Sequence, residues 1–335
     1  MRRTVDRAGE ESTETDQKVA TEKRLQSIPN LTVQTGTELS KYTRFAIGGP
    51  ADIYAETTNA EAFVEALQVS RSSGLPWVVL GAGTNLIVSD NGFRGVVVRY
   101  SANAITAEDC QVRVDAGAVL QDLVDFSNAR GLKGLETLAG IPGWVGAAIY
   151  GNAGAYGHSM SELVLEVRFV DGDEIRTFSN SECQFRYRES VFKAHKEWII
   201  LSGILQMQKA DAVALQKVSA DIVKVRNEKF PPTMRCAGSI FKNFLLAELP
   251  SNVAAQVPER VIREGKVPSA YFLEEVGAKG MSLGGIHIAD YHANLIYNRD
   301  GGTAEELRTL ITLLKNRVGE RFGIELEEEV QYVGF

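Results

Sequence analysis

Polar and apolar residues alternate in short blocks, the first beginning near Leu31. Residues 51–57 (ADIYAET) show the two-residue period of a strand with one buried face. Thr58, with Glu61 three residues on, predicts a capping-box start to a helix carrying Phe63 and Leu67 on one face. Past Ser73-Gly74, the run 77–80 (WVVL) predicts a buried strand that stops in Gly81-Ala82-Gly83. A β-α-β opening points to an α/β or α+β layered fold. Residues 95–100 and 112–116 predict two more strands, and Leu120, Leu123 and Val124 mark a helix that stops near Gly131. Residues 167–170 and 175–178 flank Asp171-Gly172, a tight-hairpin signal. A helix over 212–228 follows. Thr303 and Glu306 then cap a last helix with the stripe Leu307, Leu310, Ile311, Leu314 and Val318; Gly323 ends it and 325–333 is the expected final strand.

The 335 residues, 44% apolar and 24% charged, suffice for two domains or three small ones with real cores. No apolar run reaches the roughly 18–20 residues of a membrane helix. The net charge of −7 excludes blanket phosphate neutralisation as a mode of nucleic-acid binding, although it leaves room for a local anion site. Cys110, Cys183 and Cys236 are far apart and form no CxxC pair, which suits a reducing, cytoplasmic setting. Residues 1–26 are almost wholly polar and are expected to form a solvated tail outside the fold.

The glycines change the picture. Residues 81–86 (GAGTNL) follow a strand, where a turn can present backbone N–H groups to a phosphate. Leu86 stands where a dinucleotide fingerprint needs its third glycine, so that fingerprint fails, and a plain tight turn remains open. Residues 140–157 hold six glycines among small and apolar residues. Such a segment is too apolar for a linker and too glycine-rich to be helical throughout. Its backbone passes close either to other backbone, packing domains together, or to a large planar cofactor. Two such loops without a Rossmann fingerprint are compatible with a flavin nucleotide held mainly by main chain.

Thr43-Arg-Phe-Ala-Ile-Gly-Gly-Pro-Ala-Asp52 and these two loops resemble the flavin-binding half of the UDP-N-acetylenolpyruvoylglucosamine reductase (MurB) family. The resemblance continues through residues 187–193 (YRESVFK), 237–243 (AGSIFKN), 292–296 (HANLI) and 326–330 (LEEEV). It implies an α+β fold: a two-part FAD-binding domain of the vanillyl-alcohol-oxidase/PCMH type (27–100 and 101–210), then an α/β substrate-binding domain (211–335). It also implies an NADPH-dependent flavoenzyme of peptidoglycan synthesis, making UDP-N-acetylmuramate in the cytoplasm as a monomer or weak homo-oligomer, with neither nucleic acid nor membrane as partner. FAD would be non-covalent, with NADPH as co-substrate and a UDP-sugar as substrate. The segment after Leu205 is too short for a substrate-closing tyrosine loop, so the chain is similar to the shorter subclass.

In that family hydride passes from NADPH to FAD and then to the enol-ether double bond, and an enolate-like species must be stabilised and protonated. The resemblance implies Ser239 as proton donor, Arg188 as the cation at the substrate carboxylate, and Glu329 beside it. From the residues alone, Ser239 could equally cap a turn, Arg186 is a decoy for Arg188, and alternation puts Glu327 and Glu329 on one face and Glu328 on the other. FAD binding is implied for Gly81, Ala82, Gly83, Thr84, Asn85, Leu86, Ile141, Pro142, Gly143, Gly146, Ala147, Asn152, Gly154, Ala155, Tyr156 and Arg226. Lys229, Asn243 and His292 are the implied substrate contacts, Lys229 at the diphosphate. His287 and His292 lack HExxH spacing, so no metal site is expected. Trp144, Phe244 and Gln331 depart from the family pattern, which has a small residue, a proline and an arginine there. Two other readings stay open: an FAD-linked oxidase of alcohols or sugars, disfavoured because no histidine lies near Gly81, and a non-catalytic nucleotide-binding scaffold, which would leave Arg188, Ser239 and Glu329 unexplained.

Overall fold

The structure is a computed structural model and describes residues 7–335. It resolves into two units: one holds the residues up to Thr37 with Ala51–Ala82 and Arg94–Lys229, the other Glu38–Pro50, Gly83–Phe93 and Phe230–Phe335.

Besides two short two-stranded sheets, the first unit has two main ones. One has four strands in the order Thr32–Glu38, Pro50–Thr57, Phe93–Tyr100, Trp77–Val79, the last two parallel. The other has five antiparallel strands in the order Glu174–Ser179, Val164–Asp171, Ile199–Gln206, Gln111–Asp115, Ile105–Glu108. Helix Ala60–Ser72 buries Phe63 and Leu67, and helix Leu120–Ala129 buries Leu123 and Val124; all join one core with Val96, Val98, Val114 and Phe169. The first helix starts one residue later than the Thr58 box predicts. Asn59 caps it, accepting from the Ala62 amide at 2.8 Å, because a short side-chain carbonyl at the N-cap reaches the third amide directly. The hairpin also turns one residue late: Asp171 faces Glu174, so Gly172-Asp173 form the loop.

The opening of the chain differs from the solvated tail expected of it. The part before Arg7 lies outside the described residues, but Arg7–Gln26 is a helix. Leu25 is fully buried in the first unit's core, Thr21 is buried, and Lys18 Nζ lies 2.9 Å from the Asp52 carboxylate. Good helix formers and one or two anchor residues are enough for a helix that docks, even where the average composition is polar.

The second unit is built on an antiparallel sheet in the order Arg235–Ser239, His292–Asn298, Ile286–Ala289, Ser282–Leu283. Helix Ala304–Phe322 covers its core with the expected stripe, Leu307, Leu310, Ile311, Leu314 and Val318, all buried; the Thr303–Glu306 capping box starts it and left-handed Gly323 ends it. The final strand is shorter than expected, Gln331–Val333 only, and runs parallel to Leu86–Val88. Residues 327–329 instead lie along residues 240–242, with Lys242 N–H donating to the Glu327 carbonyl (2.9 Å) and Glu329 N–H to the Ile240 carbonyl (2.7 Å).

Asp90 adds a second cap to the last helix from far away in sequence, accepting from the Ala304 (2.9 Å) and Glu305 (3.2 Å) amides. A carboxylate at a helix N-terminus satisfies free amides and complements the helix dipole. Asp90→Ala is expected to cost about 1 kcal/mol, read as a lower urea midpoint. An unchanged midpoint would show that the Thr303 box alone sets this helix end.

Candidate active site

In the first unit the glycine-rich segment leaves a one-turn helix, Glu136–Leu138, and becomes helical again only over Val145–Tyr150. Its middle is tied to its own unit: the Val145 and Gly146 amides donate to the Ala118 and Ala116 carbonyls, both at 2.8 Å, and the Leu120 amide to the Gly143 carbonyl at 2.9 Å. The rest is left uncovered to a degree unusual for apolar residues. Pro142, Ala147 and Tyr156 are exposed, and Ile141, Gly143, Gly154 and Ala155 are half-buried. A Cβ on Gly81 would meet only the Trp144 ring, at 4.0 Å, leaving open space on its other sides. Arg226 lays its side chain against Gly140, where a Cβ would come within 3.0 Å of Arg226 Cδ, and the Gly140 amide donates to Gln121 Oε1 at 2.7 Å. An exposed apolar wall, open space beside a glycine and an adjacent guanidinium fit a planar, anionic nucleotide such as FAD. Trp144 has a use of its own: the Arg99 guanidinium sits 4.3 Å from its ring centroid, a stacking a small residue could not offer.

Asn152 is buried among its own unit's backbone. Its side chain is spent inside the unit, donating to the Arg186 carbonyl (2.8 Å) and accepting from the Ser161 amide (3.0 Å). It thereby ties the glycine-rich segment to the turn that carries Arg188. That turn closes with mutual hydrogen bonds between Arg186 and Glu189. Arg188 occupies its left-handed corner, φ +58°, costing an L-residue on the order of 1 kcal/mol. Arg188 Nη2 donates to the Gly154 carbonyl (3.1 Å), Lys193 Nζ to the Arg188 carbonyl (2.6 Å), and Ser190 Oγ to the Tyr150 carbonyl (2.6 Å). Of the two arginines, then, Arg188 is turned onto the glycine-rich segment while Arg186 is exposed.

Residues 81–86 pass from the first unit into the second at Gly83. There Gly83, φ +64°, is pressed against the 43–49 motif: its carbonyl accepts from the Arg44 amide (3.0 Å), and a Cβ would fall 1.8 Å from the Tyr42 carbonyl oxygen. Thr43 stabilises that motif by bonding both the carbonyl and the amide of Ile47. Two residues past Gly83, the Asn85 side chain donates to the Glu329 carbonyl (2.8 Å), and its own carbonyl accepts from the Gln331 amide (3.0 Å). One donor of the Asn85 amide thus serves the protein itself, holding the expected catalytic glutamate.

Ser239 and Glu329 are brought together within this unit. Strand Arg235–Ser239 pairs Cys236 with Tyr297 and Ser239 with Leu295, so it carries one extra residue, a bulge in which Gly238 takes φ +78°. Bulges re-aim the side chain that follows. The next residue, Ile240, accepts from the Glu329 amide. The three glutamates are sorted by their surroundings rather than by strict alternation: Glu327 Oε1 is 2.6 Å from Lys242 Nζ, and Glu328 is 3.0 Å from Lys315 Nζ and bonded by Tyr332 Oη. Glu329 is half-buried, its backbone clamped by Ile240 on one side and Asn85 on the other.

Of the implied substrate contacts, Asn243 Oδ1 accepts from the Ser269 amide at 3.3 Å. His292 is half-buried beside Phe230, and its Nδ1 accepts from the Asn294 amide at 3.4 Å. Lys229, in the first unit, follows Arg226 by one helical turn; loss of solvent and the Arg226 charge hold its ammonium below the usual lysine value. A cation disfavoured in this way gains from an anionic partner. Among the described residues no cluster of His, Cys, Asp and Glu could hold a metal, and no helix is long and apolar enough to cross a membrane.

Two residues of evident use escape a reading of the sequence. Gln121 looks like an ordinary helix-surface residue. Asn294, only 2% exposed, accepts from the Ile240 (3.1 Å) and Phe241 (2.9 Å) amides and donates to the Phe241 carbonyl (2.8 Å). Its place within the HANLI motif was the available signal.

Residues 230–333 match the C-terminal domain of UDP-N-acetylenolpyruvoylglucosamine reductase, and residues 51–177 match an FAD-binding domain. The UDP-N-acetylenolpyruvoylglucosamine reductase of Solibacter usitatus is 65% identical over 311 residues, 93% of this chain and 100% of that protein. The enzyme of the same name from Bacillus subtilis is 33% identical over 300 residues, 88% of this chain and 92% of that one. The crystal structure of the Thermus caldophilus reductase superposes with a TM-score of 0.70 at 26% identity, covering 90% of this chain and 99% of that one. Identity at this level over nearly the full length of both proteins, with both domains matched in order, means that the chain belongs to the UDP-N-acetylenolpyruvoylglucosamine reductase family.

Proposed function

We propose that Ser239, Glu329 and Arg188 divide the chemistry of this reductase, with Ser239 delivering the proton and the other two stabilising the enolate. The enzyme is a UDP-N-acetylmuramate dehydrogenase, an FAD flavoprotein of peptidoglycan precursor synthesis that uses NADPH. Bound FAD supplies what no side chain can, acceptance of a hydride and its onward transfer. On this reading the cofactor is held by residues 81–86, by Ile141, Pro142, Gly143, Gly146, Ala147, Asn152, Gly154, Ala155 and Tyr156, and by Arg226, with the Asn152 side chain also bracing the segment. Lys229 takes the substrate diphosphate, and Asn243 and His292 contact the substrate.

The guanidinium of Arg188 matches a carboxylate in two-point geometry and withdraws charge from it as the enolate develops. Glu329 acts with Arg188, as an orienting partner at that carboxylate or as a hydrogen-bond donor to it. Ser239 is a weak acid, but the carbanion is a strong base, and a fixed hydroxyl close to it is sufficient. The observation carrying this division is the 2.7 Å hydrogen bond from Glu329 N–H to the Ile240 carbonyl, which makes the donor strand and the glutamate neighbours 90 residues apart. The same reading assigns the chain to the shorter subclass without a tyrosine loop, makes it a cytoplasmic monomer or weak homo-oligomer, and divides the functional parts as 27–100, 101–210 and 211–335.

Purified protein should be yellow with non-covalent flavin and should oxidise NADPH on addition of UDP-N-acetylglucosamine enolpyruvate. Colourless protein that takes up no FAD would sink the reading. The choice among the glutamates is tested by a pair of substitutions. Glu329→Gln is expected to lower kcat by about 10²-fold or more, whereas Glu327→Gln, which removes the pairing of an exposed carboxylate with Lys242, should stay within about threefold of the parent. Equal effects would remove Glu329 from the mechanism.

A further inference from the structure

We propose that Asn294 is the positioning residue that fixes Ser239 relative to Glu329. The inference rests on the assignment of Ser239 as proton donor. Strand Arg235–Ser239 follows its neighbour His292–Asn298 only as far as the pair Ser239–Leu295. Beyond that point the regular ladder would set Ile240 and Phe241 against Asn294 and Ala293. One backbone bond persists there, the Ile240 amide to the Asn294 carbonyl (3.2 Å), and the Asn294 side chain supplies the rest, accepting from the Ile240 and Phe241 amides through Oδ1 (3.1 and 2.9 Å) and donating through Nδ2 to the Phe241 carbonyl (2.8 Å). Two N–H groups at one atom and a carbonyl at the other permit only this orientation of the amide.

One carboxamide thus extends the grip of the neighbouring strand past the exit of the Gly238 bulge, from Ile240 to Phe241. On the other side of the same residues, Ile240 and Lys242 are bonded to Glu329 and Glu327, and Glu329 to Asn85. Asn294, residues 240–241, Glu329 and Asn85 therefore form one hydrogen-bonded series in which the donor strand is gripped from both sides. Asn294 is buried and its amide is aimed at protein backbone, so it works through Ser239 and Glu329 and has no part in holding the cofactor. Serine, a weak acid, depends on placement more than a histidine would, so a looser strand should be felt in proton delivery first.

The test is rapid-mixing kinetics on the FAD-loaded full chain, with the two half-reactions followed separately through flavin absorbance. Asn294→Leu keeps the volume and removes all three side-chain bonds. Its reduction by NADPH should stay within threefold of the parent, and its reoxidation by the enolpyruvyl substrate should slow about 30-fold or more. Asn294→Asp keeps the two accepted bonds and should recover to within about fivefold. Reoxidation within threefold of the parent in folded Asn294→Leu overturns the proposal, as does an equal loss in both half-reactions. If Asn294→Leu does not fold, Asn294→Asp carries the test: reoxidation slowed at least twofold with reduction unchanged supports the proposal, and parent rates in both overturn it. Ser239→Ala in the same assay separates the two ideas. Should Ser239→Ala reoxidise normally, the proton-donor assignment fails; should it be blocked while Asn294→Leu is not, only the present inference fails.

Discussion

Replacing Ser239 by alanine should leave bleaching of the bound flavin by NADPH within about threefold of the parent and slow the second half-reaction by roughly 10³-fold, or about 4 kcal/mol of barrier. The substitution removes one hydroxyl and no backbone group. The bulge at Gly238 and the pairing of residue 239 with Leu295 do not depend on that hydroxyl, so the strand should keep its course. With Ser239 as the proposed proton donor, what is lost is the proton at the developing carbanion, which water can supply only with poorer placement. Stopped-flow absorbance on the holoprotein reads both phases from one sample. Parallel loss of both would mean that Ser239 supports the cofactor site in general, and the absence of any loss would hand the proton to another group.

The parts of this molecule that a sequence reveals are those whose causes lie within a few residues. The last helix is the plainest case: its Thr303–Glu306 box, apolar stripe and terminal Gly323 are all local, and all occur as expected. The second cap from Asp90 crosses 214 residues, and no local rule could have supplied it. The Asn59 cap was missed by a single position because Thr58 and Asn59 are both competent cap residues and only the backbone path decides between them. That Arg188 and not Arg186 falls at the left-handed corner of the turn is a property of the turn and not of the residue type. The three glutamates look equivalent as a string. They part company only when Lys242 and Lys315 arrive from distant segments to take the first two. Asn294 reads as a polar interruption in a strand, and its use appears only with the bulge opposite it. The helix Arg7–Gln26 failed the compositional test for a fold because two buried side chains, Thr21 and Leu25, weigh little in an average over 26 residues.

Gly83→Ala should be strongly destabilising, and Gly36→Ala shows how much of that is due to backbone angle alone. Both glycines sit at φ +64°. An alanine at either pays the left-handed penalty of about 1–2 kcal/mol. At Gly36 a Cβ meets nothing within 4 Å, so the cost should end there. At Gly83 the Cβ would lie 1.8 Å from the Tyr42 carbonyl oxygen and 2.8 Å from the Tyr42 carbonyl carbon, both backbone atoms that no rotamer change can move. Relief requires the 42–44 segment to shift by more than 1 Å, and the Arg44 N–H bond to the Gly83 carbonyl would go with it. A total of roughly 4 kcal/mol or more is expected, in the range reserved for overpacking and broken networks together. Because Asn85, two residues on, holds the Glu329 carbonyl, any folded Gly83→Ala protein should also lose flavin and slow its second half-reaction. Urea midpoints and bound-flavin content of the two variants decide the matter: equal midpoints would mean that the close approach of Gly83 to Tyr42 contributes nothing beyond its φ.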